Sequence, residues 1–100
     1  MARSAAEEPT ARALMLHDGD DVAVVIAPVS AGTLCEITTP SGKQSVRAAG
    51  DIAFGHKMSV RAIGVGETVI KYGHPIGRAA AAIECGAHVH VHNLQGGVSA

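Results

Sequence analysis

Short apolar runs alternate with turn residues along this chain. Residues 13–17 lead into Asp18-Gly19-Asp20-Asp21, and the apolar run 22–27 stops at Pro28. Residues 33–38 end at Pro40-Ser41-Gly42, and 44–47 run into Gly50. The run 57–63 ends at Gly64, 67–72 ends at Gly73, and 87–92 closes the patterned part. Runs of about five residues with a turn signal about every ten predict a small, mostly β domain. The four successive alanines within 78–83 favour a short helical turn, too brief to define the fold.

A repeated frame adds detail. Apolar-x-x-Gly-x-x-apolar recurs at 29–35, 52–58, 63–69 and 83–89. In each, an apolar anchor precedes a turn whose glycine can take positive φ, and a strand follows. One match would carry no weight, but four predict a fold of turn-then-strand units bounded by Gly32, Gly55, Gly66 and Gly86. The polar, alanine-rich segment 1–12 is expected to be a frayed tail, as is 95–100, leaving one domain over 13–94.

Apolar residues make up 47% of the chain, yet Tyr72 and Phe54 are its only aromatic residues. A core rich in alanine and valine is thin, and a domain this small leaves roughly a third of its unfolded-chain surface exposed. A partner chain, or self-association in isolation, would shield more of it. Eight Lys/Arg against nine Asp/Glu give a net charge of −1, with the basic residues scattered singly. That argues against nucleic acid and against an anionic membrane surface. Cys35 and Cys85 lack a metal-type spacing and read as buried thiols rather than a disulfide or zinc site. Without a secretion-type apolar run or 18 consecutive apolar residues, the expectation is a soluble, cytoplasmic protein.

Chemistry concentrates in three places. In an extended strand His88, His90 and His92 share one face, while Val89 and Val91 share the other. On a flat strand the three imidazoles would span roughly 13 Å, too far for one ion. Two i,i+2 imidazoles can share a metal, so His88 and His90 are candidate ligands. Contact with substrate or another subunit, or a plain surface position, are the alternatives. Gly55-His56-Lys57 sets an imidazole able to titrate near neutrality beside an ammonium after a turn. The pair could approach one carboxylate together, or could simply face solvent. Lys71 suits a carboxylate or sulfonate as a mobile point charge, and Tyr72 is either a polar contact or a core aromatic. Gly73 and Gly77 read as backbone-conformation residues, while Glu67 and Glu84 flank turns where solvation is the simplest outcome. So few carboxylates argue against a complete acid/base and metal site within this chain.

Taken together, Gly55-His56-Lys57, the run from Lys71-Tyr72-Gly73 through Ile76-Gly77-Arg78-Ala79, Ile83-x-x-Gly86 and His88-Val-His90-Val-His92-Asn93 resemble the SAF (β-clip) domain of the altronate/galactarate dehydratase family. The resemblance covers residues 13–94 and is nearest to the altronate branch. It implies a β-clip fold, similar also to type III antifreeze proteins and to the C-terminal domain of sialic acid synthases. In larger family members this domain precedes a catalytic region several times its size. In split members such as sulfolactate sulfo-lyase it is a separate small subunit, and this chain resembles that type.

The reaction so implied is elimination from a hydroxylated carboxylate such as altronate, galactarate or sulfolactate, giving a 2-keto acid. It implies a large catalytic lyase subunit as partner and a divalent metal, iron(II) or similar, held mainly by that subunit. The implied roles are His56 and Lys57 as catalytic groups, Lys71, Tyr72, Gly73 and Arg78 as substrate-binding groups, and His88 and His90 as metal ligands. No activity is expected of this chain alone. A stand-alone anion- or metal-binding module, or a structural lid that never touches substrate, are the competing readings.

Overall fold

Each of the four frame glycines occupies the third position of a tight turn. The turns are closed by Thr33 N–H on Ser30 O at 3.1 Å, and by His56 on Ala53, Glu67 on Gly64 and Ala87 on Glu84 at 3.0 Å. Gly32, Gly55, Gly66 and Gly86 have φ of 87°, 81°, 82° and 88°, which is the type II signature. The constraint is tightest at Gly86, where a Cβ would stand 2.0 Å from Arg47 O.

The computed structural model describes residues 9–96. Its strands are β1 (Ala11–Leu14), β2 (Val22–Val25), β3 (Leu34–Thr39), β4 (Gly42–Arg47), β5 (Lys57–Ser59), β6 (Thr68–Lys71), β7 (His74–Ala79), β8 (His88–Val89) and β9 (Leu94–Gln95). Six form one sheet in the order β4-β3-β1-β2-β5-β8, and β6-β7-β9 form a second. This is the mostly β, two-sheet architecture expected of a β-clip. Ordered strand begins at Ala11 and reaches Gln95, slightly beyond the expected bounds, while 1–8 and 97–100 of the expected tails lie outside the described residues.

The turns come in two equivalent pairs. Val29 bridges Ile52, and Ile63 bridges Ile83. Gly32 N–H reaches Ala48 O at 2.8 Å around the β3–β4 hairpin, as Gly66 N–H reaches Ala79 O at 2.8 Å around β6–β7. Gly55 N–H then reaches back to Val25 O, and Gly86 N–H to Ser59 O. Strand β5 therefore ends the first unit and begins the second, which lays β8 beside it.

No helix forms among the described residues, so the helical turn expected over 78–83 is absent. Arg78 and Ala79 pair with Gln95 and Leu94, and Ile83 is held by its bridge to Ile63. A six-residue stretch cannot offset helix nucleation, whereas these pairings bury Ala79 and Ile83 in the core.

Successive residues of β2 enter different clusters. Ala23 and Val25 pack with Ala13, Ile37 and Met58, while Val22 packs with Val69, Ile83 and Val89. The aspartates after β1, read from sequence only as turn residues, join the sheets. Asp20, buried, accepts from Tyr72 N at 2.8 Å and Gly73 N at 2.9 Å. Asp21, also buried, accepts from Ile70 N at 2.8 Å and from Arg61 Nε at 2.7 Å. Glu67 is not merely solvated: its carboxylate accepts from Gly64 N at 2.7 Å and from Arg61. Of the two cysteines, both free, Cys35 is buried as expected and Cys85 is exposed. Cys85 occupies the outward-pointing second position of the turn closed by Glu84 and Ala87.

Candidate functional site

Position along the frame brings the histidines together. His56 is the last residue of its type II turn, and its carbonyl accepts from Val25 N at 3.0 Å, which anchors it at the start of β5. Strand β8 pairs with β5 so that Met58 opposes His88 and Lys57 opposes Val89. The strand then stops. Asn93 N and Leu94 N both donate to His90 O, at 3.0 and 3.1 Å, and the chain reverses. The Asn93 side chain fixes that reversal, accepting from His90 N at 2.9 Å and donating to His88 O at 2.8 Å.

The flat histidine row expected from alternation is thus bent. Val91, expected on the buried face beside Val89, is 79% exposed because it lies in the reversal. The imidazoles of His56, His88 and His90 stack instead, with centroids 4.3 Å apart for His56–His90, 5.1 Å for His56–His88 and 5.4 Å for His88–His90. His56 Nδ1 stands 2.9 Å from His88 Nε2. One donor atom from each of the three lies within 4.8 Å of the others. His92 sits at the edge, its ring tilted 35° against His88. Of the histidine row only His88 and His90 join the cluster, within the limit of two expected for one strand, and the third imidazole is His56 from the turn before β5.

Two of the three imidazoles, His88 and His90, favour the neutral ring. Burial, then the neighbouring His56, His92, His90 and Lys57, pushes the His88 pKa down. His90 is lowered by desolvation and then by His56, Lys57 and His92. The neutral imidazole is the form that ligates metal. His90 Nδ1 is shielded from solvent and has no hydrogen-bond partner, so a ring nitrogen is left unsatisfied at the cluster. These donors fit a divalent transition ion.

His56 and Lys57, adjacent in sequence, start on opposite sides of the strand, although the Lys57 charge still reaches His88 and His90. Lys57 opposes Val24 and Val89, so it shares the face of the second core, whereas His56 lies against the other histidines. The Lys57 amine is depressed by burial and by the charge of Lys71. Lys71 Nζ lies 4.4 Å above the Tyr72 ring. Tyr72 and Gly73, with φ of 55° and 77°, form the two-residue β6–β7 turn, where both central residues need positive φ. Tyr72 is exposed at that turn rather than a core aromatic. The Gly73 N–H is taken by Asp20, so this glycine shapes the turn, as its sequence suggested, and offers no free donor. Arg78 lies elsewhere, in a groove of about 550 Å³ on the second sheet with Thr68, Pro75 and Gln95.

The model of the altronate/galactarate dehydratase SAF domain matches residues 11–97. The chain belongs to this family. The SAF domain here is 42% identical over 86 residues to altronate dehydratase of Escherichia coli (strain K12), covering 86% of this chain and 17% of that protein. It is 42% identical over 62 residues to (2R)-sulfolactate sulfo-lyase subunit alpha of Paracoccus pantotrophus, covering 62% of this chain and 92% of that subunit. The corresponding subunit of Chromohalobacter salexigens is 36% identical over 85 residues, or 81% of this chain and 90% of the relative. The SAF domain therefore spans about a sixth of the altronate dehydratase and nearly the whole of each sulfo-lyase alpha subunit.

Sequence reasoning divided these residues between a base at His56 and ligands at His88 and His90, and missed that one cluster holds all three. The repeat contained the signal. Frames 52–58 and 83–89 close equivalent units, so Gly55 and Gly86 precede neighbouring strands, and the antiparallel register that sets Lys57 against Val89 continues to His56 beside His90. Asn93 was visible only as the end of a motif, because its bonds to His88 and His90 exist only once the chain reverses.

Proposed function

We propose that this SAF domain is the small subunit of a lyase that eliminates a leaving group from a hydroxylated carboxylate, together with a large catalytic subunit. The observation that carries the reading is the His56–His88–His90 cluster, in a chain alignable with sulfo-lyase alpha subunits over nine-tenths of their length. In the reaction the α-proton passes to a base and hydroxide or sulfite leaves the β-carbon with its bonding pair. The resulting enol tautomerises to a 2-keto acid.

A divalent metal, iron(II) or similar, supplies stabilisation of the enolate charge when bound. His88 and His90 are donors to it in the assembled enzyme. The Lys71 charge lies close enough to disfavour the charged form of Lys57, an arrangement relieved by a substrate carboxylate or sulfonate. The depressed Lys57 also gives up its proton more readily than an ordinary lysine, which suits it to proton transfer. Tyr72 extends the anion site beside Lys71.

The partner surface is the exposed side of the large sheet. Leu14 opposes Val24 across β1 and β2, and Leu16 and Ile26 continue the exposed apolar side. The large subunit is the occupant that fits, since the altronate dehydratase relative carries about five-sixths of its length outside the matched domain. No helix among the described residues is long and apolar enough to cross a membrane, and a cytoplasmic metabolic enzyme is the reading adopted.

The test is reconstitution. The purified chain should give no turnover of altronate or sulfolactate, and should give it when mixed with a large lyase subunit from the same organism. Turnover by the chain alone, or none from the mixture with any hydroxylated carboxylate, would remove this assignment.

A further inference from the structure

We infer that His56, His88 and His90 form a complete three-imidazole centre that binds one divalent transition ion on this chain alone, with Asn93 as the residue that positions it. The inference deepens the lyase reading by assigning the metal site to the small subunit, but binding itself does not depend on that reading.

Three observations converge. The donor atoms already lie within 4.8 Å of one another, and the His56–His88 pair stands at 2.9 Å. Nitrogens sharing one ion at bonds of about 2.1 Å lie about 3.0–3.4 Å apart, so that pair needs almost no movement. The half-buried His90 ring has only to turn toward the other two. Second, each neutral imidazole has one ring proton and one lone pair, and His90 Nδ1 has no partner at all. His56 Nδ1 and His88 Nε2 share one ring proton, and a cation would replace it, sending that proton to the ring's other nitrogen, while also taking up the unpartnered His90 nitrogen. Third, the cluster is built rather than incidental. His56 is anchored through its backbone to Val25, and Asn93 ties His88 to His90 through two hydrogen bonds. Without that clamp, the two histidines would separate along an extended strand.

Three nitrogen donors set the class of ion. Imidazole favours iron(II), cobalt(II), nickel(II) and zinc(II), while magnesium and calcium prefer oxygen ligands. Three protein ligands also leave coordination positions open. The hydroxyl and carboxylate oxygens of a 2-hydroxy acid could occupy them together. His92, tilted at the edge, lies outside the set.

The experiment uses the isolated full chain, stripped of metal and titrated with cobalt(II), zinc(II) and magnesium. Binding is read by calorimetry and by cobalt(II) absorption. One equivalent of cobalt(II) or zinc(II), and none of magnesium at comparable concentration, is expected. His56→Ala, His88→Ala and His90→Ala should each weaken binding at least tenfold, Asn93→Ala by about 10–100-fold as for residues supporting ligands, and His92→Ala little. In case a variant fails to fold, the wild-type imidazole ¹⁵N resonances give a second reading: zinc(II) should shift one ring nitrogen in each of His56, His88 and His90. No binding, equal affinity for magnesium, or His56→Ala with unchanged affinity and no zinc shift at His56 would overturn the inference. Metal binding by the chain with no turnover in the reconstituted mixture would instead count against the lyase assignment and leave this site standing.

Discussion

His56 Nδ1 lies 2.9 Å from His88 Nε2, although the two residues are 32 positions apart. The contact exists because β5 and β8 pair antiparallel with Lys57 opposite Val89 and Met58 opposite His88, which leaves His56 beside the His88–His90 side of β8. It places His56 in the imidazole cluster with His88 and His90. Function and fold then depend on different residues, which can be tested separately.

In the assembled enzyme His56→Ala should lose bound metal together with activity, reducing kcat/KM by about 10²-fold or more. Steady-state kinetics alongside metal analysis decide this. Full metal content with lost turnover would restore His56 as the acid/base group.

Lys57→Met should act differently. It keeps the aliphatic length beside Val24 and Val89 but removes the charge that meets Lys71. Metal content should hold while KM for the anionic substrate rises, and a variant with unchanged kinetics would remove Lys57 from the site.

Acid should weaken the metal-free protein. The His88 and His90 pKa values are lowered from 6.5 in the folded chain. As pH falls below about 6.5, the unfolded chain therefore takes up these protons first, and stability drops until the folded pKa values are reached. Urea midpoints between pH 8 and 5 should fall in wild type with EDTA present. They should fall less in the His88→Gln/His90→Gln double variant.

Gly86→Ala should cost more than Gly32→Ala. Both have positive φ, which costs an alanine roughly 1–2 kcal/mol. A Cβ at Gly32 meets nothing within 4 Å, whereas at Gly86 it meets Arg47 O at 2.0 Å. The backbone shift needed there should add about 1–3 kcal/mol, read by denaturant unfolding.

Asp20→Ala removes the acceptor for two backbone N–H groups, Tyr72 and Gly73. Bonds to a charged acceptor are worth about 1.5–3 kcal/mol each, so a loss of about 3–6 kcal/mol is expected. Faster hydrogen exchange confined to the β6–β7 turn should accompany it.

The sequence by itself determined the strands, the turns and the family. A glycine at the third position of a turn, or an alternation of apolar and polar residues, acts within a few neighbours. The four frames therefore read correctly at Gly32, Gly55, Gly66 and Gly86, and Lys71-Tyr72-Gly73 read as a strand end. Local preference failed where distant pairing outweighed it. Within 78–83, Arg78 and Ala79 went into a strand and Ile83 into a bridge instead of a helical turn, and Val91 left the core when Asn93 reversed the chain. Tertiary structure alone decided which chemical groups meet. His56 joins His88 and His90 on the side of the strand opposite Lys57 because β5 is paired with β8 on one edge and turned between two cores. Asp20 and Asp21, spaced like an ordinary loop, became buried acceptors because the β6–β7 hairpin settled over them. Such contacts depend on how whole units dock, and no window of neighbouring residues contains that information.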